Sequence, residues 1–117
     1  SGVIAVIGSV AGDRGRKSNY VYGAAKGLIE RYLQGLQHRL ANTNVNVVLI
    51  KPGPTDTPMT IQLKQSGAKL ASVHYVAKEI VRGIENKRRI LYTPRTWSII
   101  MMVIRHLPNS IFFKLKI

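Results

Sequence analysis

Cysteine is absent from the 117 residues of this chain. That absence excludes disulfide bonds and thiolate zinc sites, and it fits a protein of the reducing cytoplasm. Histidine occurs only as His38, His74 and His106, and none of them has the partner four residues away that a helical metal site requires. The sequence therefore predicts no metal centre.

Acidic residues are scarce as well. Five Asp and Glu stand against 18 Lys and Arg, which gives a formal net charge of +13. A charge of this size attracts nucleic acid, anionic lipid or phosphorylated ligands, and a basic surface that is simply solvated is the other interpretation. The cations are dispersed and no aromatic stacking array accompanies them, so we do not expect nucleic-acid binding.

Long apolar segments are missing too. The runs 99–104 and 111–117 both fall short of the roughly 20 residues that cross a bilayer. The chain opens on the apolar segment 2–7 without an initiator Met and without the basic and apolar stretches of a signal peptide. We expect a truncated start inside a sheet, in a protein that is cytoplasmic or peripheral to a membrane.

Two apolar segments, 3–7 and 45–50, have the composition of buried strands. Apart from Asn46, neither alternates apolar with polar residues, which is typical of parallel strands covered on both faces. Between them, a stripe of apolar residues at three- and four-residue steps predicts a helix from about Asn19 to Asn42. The stripe consists of Val21, Ala25, Leu28, Ile29, Tyr32, Leu36 and Leu40. This order is a βαβ unit, for which a right-handed crossover is expected.

The second strand runs into a loop, 51–58, in which three prolines and one glycine forbid regular structure. Thr57 and Pro58 end this loop and begin a short helix. Ser72 can cap a further helix, and 89–93 is a short third strand. The buried stripe of that further helix consists of Val76, Ile80, Val81 and Ile84. The fold class is therefore α/β, with three parallel strands and crossover helices.

The C-terminal segment 96–117 is amphipathic and leaves two interpretations open. It can pack as a helix on the protein or in a subunit contact. It can also be an interfacial anchor, with Trp97, Phe112 and Phe113 facing lipid and the cations facing the headgroups.

Tyr22 and Lys26 lie four residues apart and so project from one face of the predicted helix. A phenol alone is a poor proton donor or acceptor at neutral pH, but a neighbouring ammonium stabilises its phenolate. Such a tyrosine can act as a general acid and base. Tyr20 has Ala24 rather than a lysine at the same spacing. An exposed lysine that covers a core tyrosine gives the same pattern by chance.

Ser9 follows the first strand at its carboxyl end, which is where open parallel sheets bind their ligands. Its hydroxyl can hydrogen-bond a substrate oxygen beside Tyr22. The connecting segment 10–19 is rich in small and basic residues, and we expect it to form the flexible rim of a cleft.

Three segments together resemble the signature of the short-chain dehydrogenase/reductase family. They are 8–12, 22–26 and 52–57, and they fall in order on the predicted strand end, helix and loop. The interval of 13 residues from Ser9 to Tyr22 also matches that family. The resemblance implies an oxidoreductase that transfers hydride between NAD or NADP and a carbonyl or hydroxyl carbon.

The resemblance also implies a role for each matched residue in the strand end and the helix. Tyr22 would be the general acid and base. Lys26 would assist Tyr22 and hold the ribose of the nicotinamide cofactor. Ser9 would orient the reacting carbonyl.

The matched loop implies further cofactor contacts. Pro52, Gly53 and Thr57 would border the nicotinamide, and the residues after them, to about 71, would form a mobile lid that excludes water. The family's glycine-rich phosphate loop and catalytic asparagine have no counterpart here, so the resemblance covers about half of a complete member.

The resemblance gives the domain organisation. Residues 1–95 would be the catalytic half of a Rossmann-like, doubly wound parallel sheet, and 96–117 the amphipathic tail. Without the cofactor half, we expect this chain alone to show weak or no turnover.

The basic residues Arg14, Arg16 and Lys17 and the apolar tail look most similar to reductases that act on lipid-linked sugars, such as the decaprenyl-phosphoryl keto-arabinose reductase group. The substrate implied is a ketone or alcohol, including a sugar on a polyprenyl phosphate at a membrane surface. An ordinary soluble ketone reductase is the simpler interpretation.

Members of the family commonly form dimers or tetramers through the helix that carries the tyrosine. Leu33, Leu36 and Leu40 would provide that contact in a homo-oligomer. The alternative to an enzyme is a non-catalytic basic domain that binds a membrane surface or nucleic acid, or self-associates.

Overall fold

A computed structural model describes residues 1–117. The strands are β1 (Gly2–Ile7), β2 (Val45–Pro52) and β3 (Ile90–Thr93). The helices are α1 (Tyr20–Arg39), α2 (Ile61–Gln65), α3 (Val73–Glu85), α4 (Thr96–His106) and α5 (Asn109–Phe112). Short 3-10 turns span Val10–Gly12 and Pro58–Thr60.

The three strands form one parallel sheet in the order β1-β2-β3. Ile7, at the end of β1, lies opposite Ile50, and Thr93, at the end of β3, lies opposite Pro52. Because the strands are parallel, their carboxyl ends all meet at one edge of the sheet. The loops that follow them are therefore neighbours.

The central strand β2 is covered on both faces. Val47 and Leu49 pack against α1 on one face of the sheet. Val48 and Ile50 point to the other face, toward Ile80 of α3. Helices on both sides explain why β2 shows no alternation of polar and apolar residues, and they confirm the predicted α/β class.

The edge strand β1 differs from the expectation that both of its faces are covered. Val3, Ile4 and Ile7 are all exposed, and Ile7 keeps 57% of its surface. The apolar pattern shows which faces a strand can bury, but it does not show which neighbours the chain supplies. In this chain the outer side of β1 has no neighbour.

Only part of the predicted stripe of α1 packs on the sheet, namely Ile29, Leu36 and Leu40. Val21, Leu28 and Tyr32 are 74%, 71% and 68% exposed, so they face away from the sheet. Leu33 is buried against it, with Leu36 packed alongside. The helix is apolar on two faces, and periodicity alone does not decide which of them meets the sheet.

The predicted cap of α3 is confirmed, because the Ser72 side chain accepts a hydrogen bond from the Tyr75 amide at 3.1 Å. Val76 is buried, as expected, and Ile80 and Ile84 are partly buried. Val81 was expected in the buried stripe, and that expectation is wrong, because this residue is 55% exposed. Its position falls at the edge of the face that packs on the sheet.

The C-terminal helix α4 packs against the end of β3. Met101 is buried, and Trp97 and Ile104 are partly buried on the same side. The other side of the helix is exposed. None of the helices in this chain has the length and apolarity that crossing a membrane requires.

Candidate active site

A cleft of about 520 Å³ opens at the carboxyl ends of β1 and β2. Its volume lies in the range of small-molecule sites. All of the predicted site residues line it. They are Ser9, Tyr22, Lys26, Pro52, Gly53 and Thr57. The topology brings them together, because the two strands end at one edge and α1 starts close to it.

Close backbone contact between the loop after β1 and α1 fixes two walls of the cleft. A Cβ on Gly23 would lie 2.8 Å from the carbonyl oxygen of Ala11. A Cβ on Gly12 would lie 3.0 Å from the carbonyl carbon of Lys26. At Gly23 a side chain would force the backbone apart, and at Gly12 it would make an unusually tight contact, so glycine at both positions lets the Ser9 loop lie directly against the helix.

Tyr22 and Lys26 lie one turn apart on α1, and both are partly buried. The Nζ of Lys26 is 5.6 Å from the centroid of the Tyr22 ring. It also donates a hydrogen bond to the carbonyl oxygen of Ile7, the last residue of β1, at 3.3 Å. An ammonium group has three protons, so two remain for acceptors inside the cleft.

Ser9 caps the 3-10 turn that follows β1. Its Oγ accepts a hydrogen bond from the Ala11 amide at 3.1 Å, which fixes the position of the oxygen. The hydroxyl proton is not used in that bond. Ser9 can therefore donate it to a carbonyl oxygen bound in the cleft.

Gly53 follows β2 directly and contacts both β3 and α4. Its amide donates to the carbonyl oxygen of Thr93 at 3.0 Å. A Cβ at this position would overlap the indole of Trp97. The predicted cofactor loop is thus held against α4, and only a residue without a side chain fits there.

Residues 57–70 form an excursion whose two ends lie close together beside the cleft. The amide of Asp56 donates to the carbonyl oxygen of Ala71 at 2.8 Å, which closes the base of this segment. Met59 and Leu63 line the cleft from it. The segment predicted as a lid therefore contributes side chains to the wall of the cleft.

A buried ionic cluster, which the sequence-based predictions missed, consists of Asp13, Glu30, Lys51 and Tyr92. The Nζ of Lys51 lies 2.8 Å from Oδ1 of Asp13 and 2.7 Å from Oε1 of Glu30. The Tyr92 hydroxyl accepts from the same Nζ at 3.2 Å and donates to Oδ2 of Asp13 at 2.5 Å. Lys51 is only 2% exposed, so water screens these charges little.

Members of this cluster belong to the segments that build the cleft. Asp13 ends the turn after Ser9. Glu30 lies one turn beyond Lys26 on α1. Lys51 is the penultimate residue of β2, next to the loop that lines the cleft. The cluster therefore holds the walls of the cleft in one arrangement. No local motif reveals it, because its members are far apart in the chain.

The charges of the cluster are coupled. Burial acts to lower the pKa of Lys51, but hydrogen bonds to Asp13 and Glu30 and the charge of Asp13 outweigh it, so this pKa is raised. Burial raises the pKa of Tyr92, and its hydrogen bond to Asp13 raises it further. At neutral pH, Lys51 is therefore charged and Tyr92 is neutral.

Arg14 does not belong to a free, flexible rim as expected. Its guanidinium donates to the carbonyl oxygens of Ile104 and Leu107, each at 2.7 Å, and to Oδ1 of Asn109 at 2.9 Å. These bonds supply hydrogen-bond donors to carbonyl groups at the end of α4, which have no partner within the helix. The positive charge of Arg14 thus interacts with the negative end of the α4 dipole. Of the three basic residues in this segment, Arg16 lines the cleft.

A second cleft, of about 500 Å³, lies at the amino ends of the strands and is lined in part by Gln37, Asn46 and Arg89. It contains none of the predicted site residues, and open parallel sheets bind ligands at the opposite edge. The side-chain amide nitrogen of Asn46 is buried without a hydrogen-bond partner, and nothing in the structure explains this.

Known proteins share both sequence and fold with this chain. A family model described as short chain dehydrogenase matches residues 1–68. An uncharacterized oxidoreductase in the mprA 5' region of Streptomyces coelicolor is 29% identical over 117 residues, which make up 99% of this chain and 45% of that protein. The chain thus spans about half the length of the curated relatives it matches.

Two solved structures have the same fold. A short-chain dehydrogenase from Burkholderia cenocepacia in complex with NADP has a TM-score of 0.80 at 19% identity, and the match covers 98% of this chain and 47% of the other. A short-chain dehydrogenase/reductase from Burkholderia phymatum in complex with NAD has a TM-score of 0.69 at 19% identity, covering 98% and 50%.

Proposed function

Because this chain belongs to the short-chain dehydrogenase family, we propose that it forms the catalytic half of an NAD- or NADP-dependent oxidoreductase that interconverts a carbonyl and an alcohol. One observation carries the proposal: Ser9, Tyr22 and Lys26 line the same cleft as the loop that follows β2. A non-catalytic role based on charge alone is not favoured, because it leaves this convergence and the family match unexplained.

The chemistry of the cleft fits a nicotinamide cofactor. Lys26 keeps two protons after its bond to Ile7, and these suit the hydroxyls of a ribose. Pro52, Gly53 and Thr57 line the adjoining wall and would border the nicotinamide. When bound, the reduced nicotinamide supplies the hydride that converts a carbonyl carbon into an alcohol carbon.

Tyr22 is the proposed source of the proton that the substrate oxygen receives. The phenol donates this proton to the carbonyl oxygen as the carbon is reduced, and the ammonium of Lys26 stabilises the phenolate that remains. Ser9 donates a hydrogen bond to the same oxygen and so orients it. Solvent then returns a proton to Tyr22. In the oxidative direction the phenolate accepts the proton of the alcohol.

The proposed substrates are ketones and alcohols, including a sugar carried on a lipid phosphate. Met59 and Leu63 give the cleft an apolar wall, and Arg16 adds a cation suited to phosphate. A polyprenyl-linked sugar presents both an apolar chain and a phosphate. Such a substrate would place the enzyme at the surface of a membrane.

A homo-oligomer is also proposed, but through different residues from those predicted. Leu33, Leu36 and Leu40 pack toward the sheet and are not free for a subunit contact. The exposed face of α1, with Val21, Leu28 and Tyr32, is apolar and has no neighbour in this chain. We assign the subunit contact to that face.

The test is oxidation of NADH and NADPH by the natural protein at its full length, with a panel of small ketones and keto-sugars. We expect turnover of one reduced cofactor, and a loss of roughly a hundredfold or more in kcat/KM for Lys26→Met. Lys17→Met, an exposed lysine in the loop before α1, is the matched control and should keep its activity. If the protein neither binds nor oxidises either cofactor, the proposal fails. The 117-residue chain alone is expected to show weak or no turnover.

A further inference from the structure

The outer side of α4 and the segment after it carry exposed apolar side chains. We call them the tail surface. They are Ile99, Met102, Val103, Ile111 and Phe113, which are 63%, 50%, 51%, 50% and 73% exposed. These residues do not contribute to the core, because Met101 and its neighbours on the inner side of α4 make the contacts with the protein. Exposed apolar side chains concentrated in one segment of a protein mark a place where a partner binds.

The ionisable side chains of the tail and of the segment before it carry positive charge only. Residues 86–117 contain no Asp or Glu. Their cations are Lys87, Arg88, Arg89, Arg95, Arg105, Lys114 and Lys116. Arg95, Lys114 and Lys116 are exposed, and they flank the apolar residues in the chain. The partner of this surface must therefore accept apolar side chains and carry negative charge.

The tail is attached to two walls of the cleft. Arg14, in the loop after Ser9, donates to the carbonyl oxygens at the end of α4, and its guanidinium lies 3.8 Å from the centroid of the Phe112 ring. At the start of α4, Trp97 packs directly on Gly53. Whatever binds the tail surface is consequently held close to the cleft.

We propose that residues 96–117 dock this protein on an anionic lipid surface. Ile99, Val103 and Phe113 would enter the boundary between headgroups and acyl chains, and Lys114 and Lys116 would contact the phosphates. A second copy of the chain fits less well, because two surfaces with cations and no acidic residues repel each other. A nucleic acid would leave the aliphatic side chains without apolar contacts.

Docking would bring the cleft to substrates that stay in the membrane. This link to a lipid-carried substrate rests on the proposed function. The docking itself rests only on the exposure and charge of the tail, so the two can be tested separately.

The experiment is co-sedimentation of the natural protein, at its full length, with vesicles of phosphatidylglycerol and phosphatidylcholine in equal parts, compared with pure phosphatidylcholine. We expect binding to the anionic vesicles only, and weaker binding at high salt. Replacing Lys114 and Lys116 by Gln should weaken the partition about fivefold for each charge removed. The double variant I99S/F113S should weaken it by about tenfold or more.

Helix α3 supplies matched controls, because it carries exposed apolar and basic residues away from the tail. V73S/V81S removes two apolar side chains that are 52% and 55% exposed, and K78Q/R82Q removes two exposed charges. Both double variants should bind the vesicles like the unaltered protein. Circular dichroism checks that every variant is folded.

Each other outcome overturns the proposal. It fails if the protein does not co-sediment with anionic vesicles, or if the tail variants bind them as well as the control variants do. It also fails if light scattering without vesicles shows self-association that I99S/F113S abolishes, because the surface would then belong to a second copy. Reduction of a water-soluble ketone is measured in parallel. Its absence, with vesicle binding retained, would reject the proposed function and leave the docking intact.

Discussion

Gly23 in α1 lies where a Cβ would come within 2.8 Å of the Ala11 carbonyl oxygen. Replacing a helical glycine by alanine ordinarily stabilises a helix by about 0.5–1 kcal/mol. Here the contact with the Ser9 loop outweighs that gain, and we predict that Gly23→Ala lowers the free energy of unfolding by about 1–3 kcal/mol. Gly35, on the same helix, has nothing within 4 Å of a Cβ and is the control. Urea unfolding that showed equal stabilisation by both substitutions would contradict the close approach.

Lys51 is a second residue whose replacement should destabilise the fold. Lys51→Met removes the ammonium group that lies between Asp13 and Glu30. Two buried carboxylates then lose their shared ion-pair partner. We therefore predict a loss of about 3–5 kcal/mol in the free energy of unfolding. Lys64→Met breaks the exposed ion pair with Asp56 and should cost no more than about 1 kcal/mol. Similar unfolding midpoints in urea for the two variants would show that the cluster does not stabilise the fold.

The pKa shifts of Lys51 and Tyr92 predict how stability depends on pH. Both values are raised in the folded protein, above ordinary values of 10.5 and 10.0. Their contribution is therefore fully present below the unfolded pKa values and is lost as the pH rises through the folded ones. Urea unfolding should show a stability contribution that stays constant up to about pH 9 and falls above about pH 10. A Lys51→Met variant with the same alkaline loss would rule out this assignment.

At the scale of the elements, α1 has two apolar faces with different tasks. One packs on the sheet through Leu33, and the other presents Leu28 and Tyr32 to solvent. If the outer face forms the subunit contact, Leu28→Lys and Tyr32→Lys should lower the molar mass measured by light scattering to that of a monomer. Val81→Lys introduces the same charge at an apolar residue of α3 that is 55% exposed, and it should leave the mass unaltered. A native protein that is already monomeric would refute the proposed contact.

The helices and strands were largely predictable from sequence, because each follows a local signal. The apolar run of β2 and the Ser72 cap of α3 are such signals, and both are confirmed. The orientation of α1 was not predictable, because Leu28 and Leu33 are equally apolar and only the packing separates them.

The predicted site residues line a common cleft because they sit at strand ends and on the helix between, where topology alone brings them together. The buried ionic cluster could not be predicted in the same way. Asp13 and Lys51 are 38 residues apart, and no sequence motif around either residue indicates that they form an ion pair. The contacts of Arg14 were not predictable either, because its carbonyl acceptors lie at the far end of the chain. The sequence therefore suggested a cationic rim for this residue.

At the scale of the whole molecule, this chain contains the cleft that we propose as the active site. Its sheet ends at β1, whose outer side is exposed, and it spans about half the length of its curated relatives. Catalysis in our account depends on Tyr22, Lys26 and Ser9, which this chain contains, together with a cofactor that the natural protein must bind. In the same account, the basic and apolar tail, attached to the cleft through Arg14, would dock the molecule on an anionic lipid surface.

The most direct test of the central claim compares Tyr22→Phe with Tyr20→Phe in the natural protein at its full length. The two tyrosines lie two residues apart on α1, but Tyr20 is 66% exposed and does not line the cleft. We predict that kcat/KM for ketone reduction falls by roughly a hundredfold or more in Tyr22→Phe, while Tyr20→Phe retains full activity. Cofactor binding should persist in both variants. Equal activity in the two variants would show that Tyr22 is not the general acid and base.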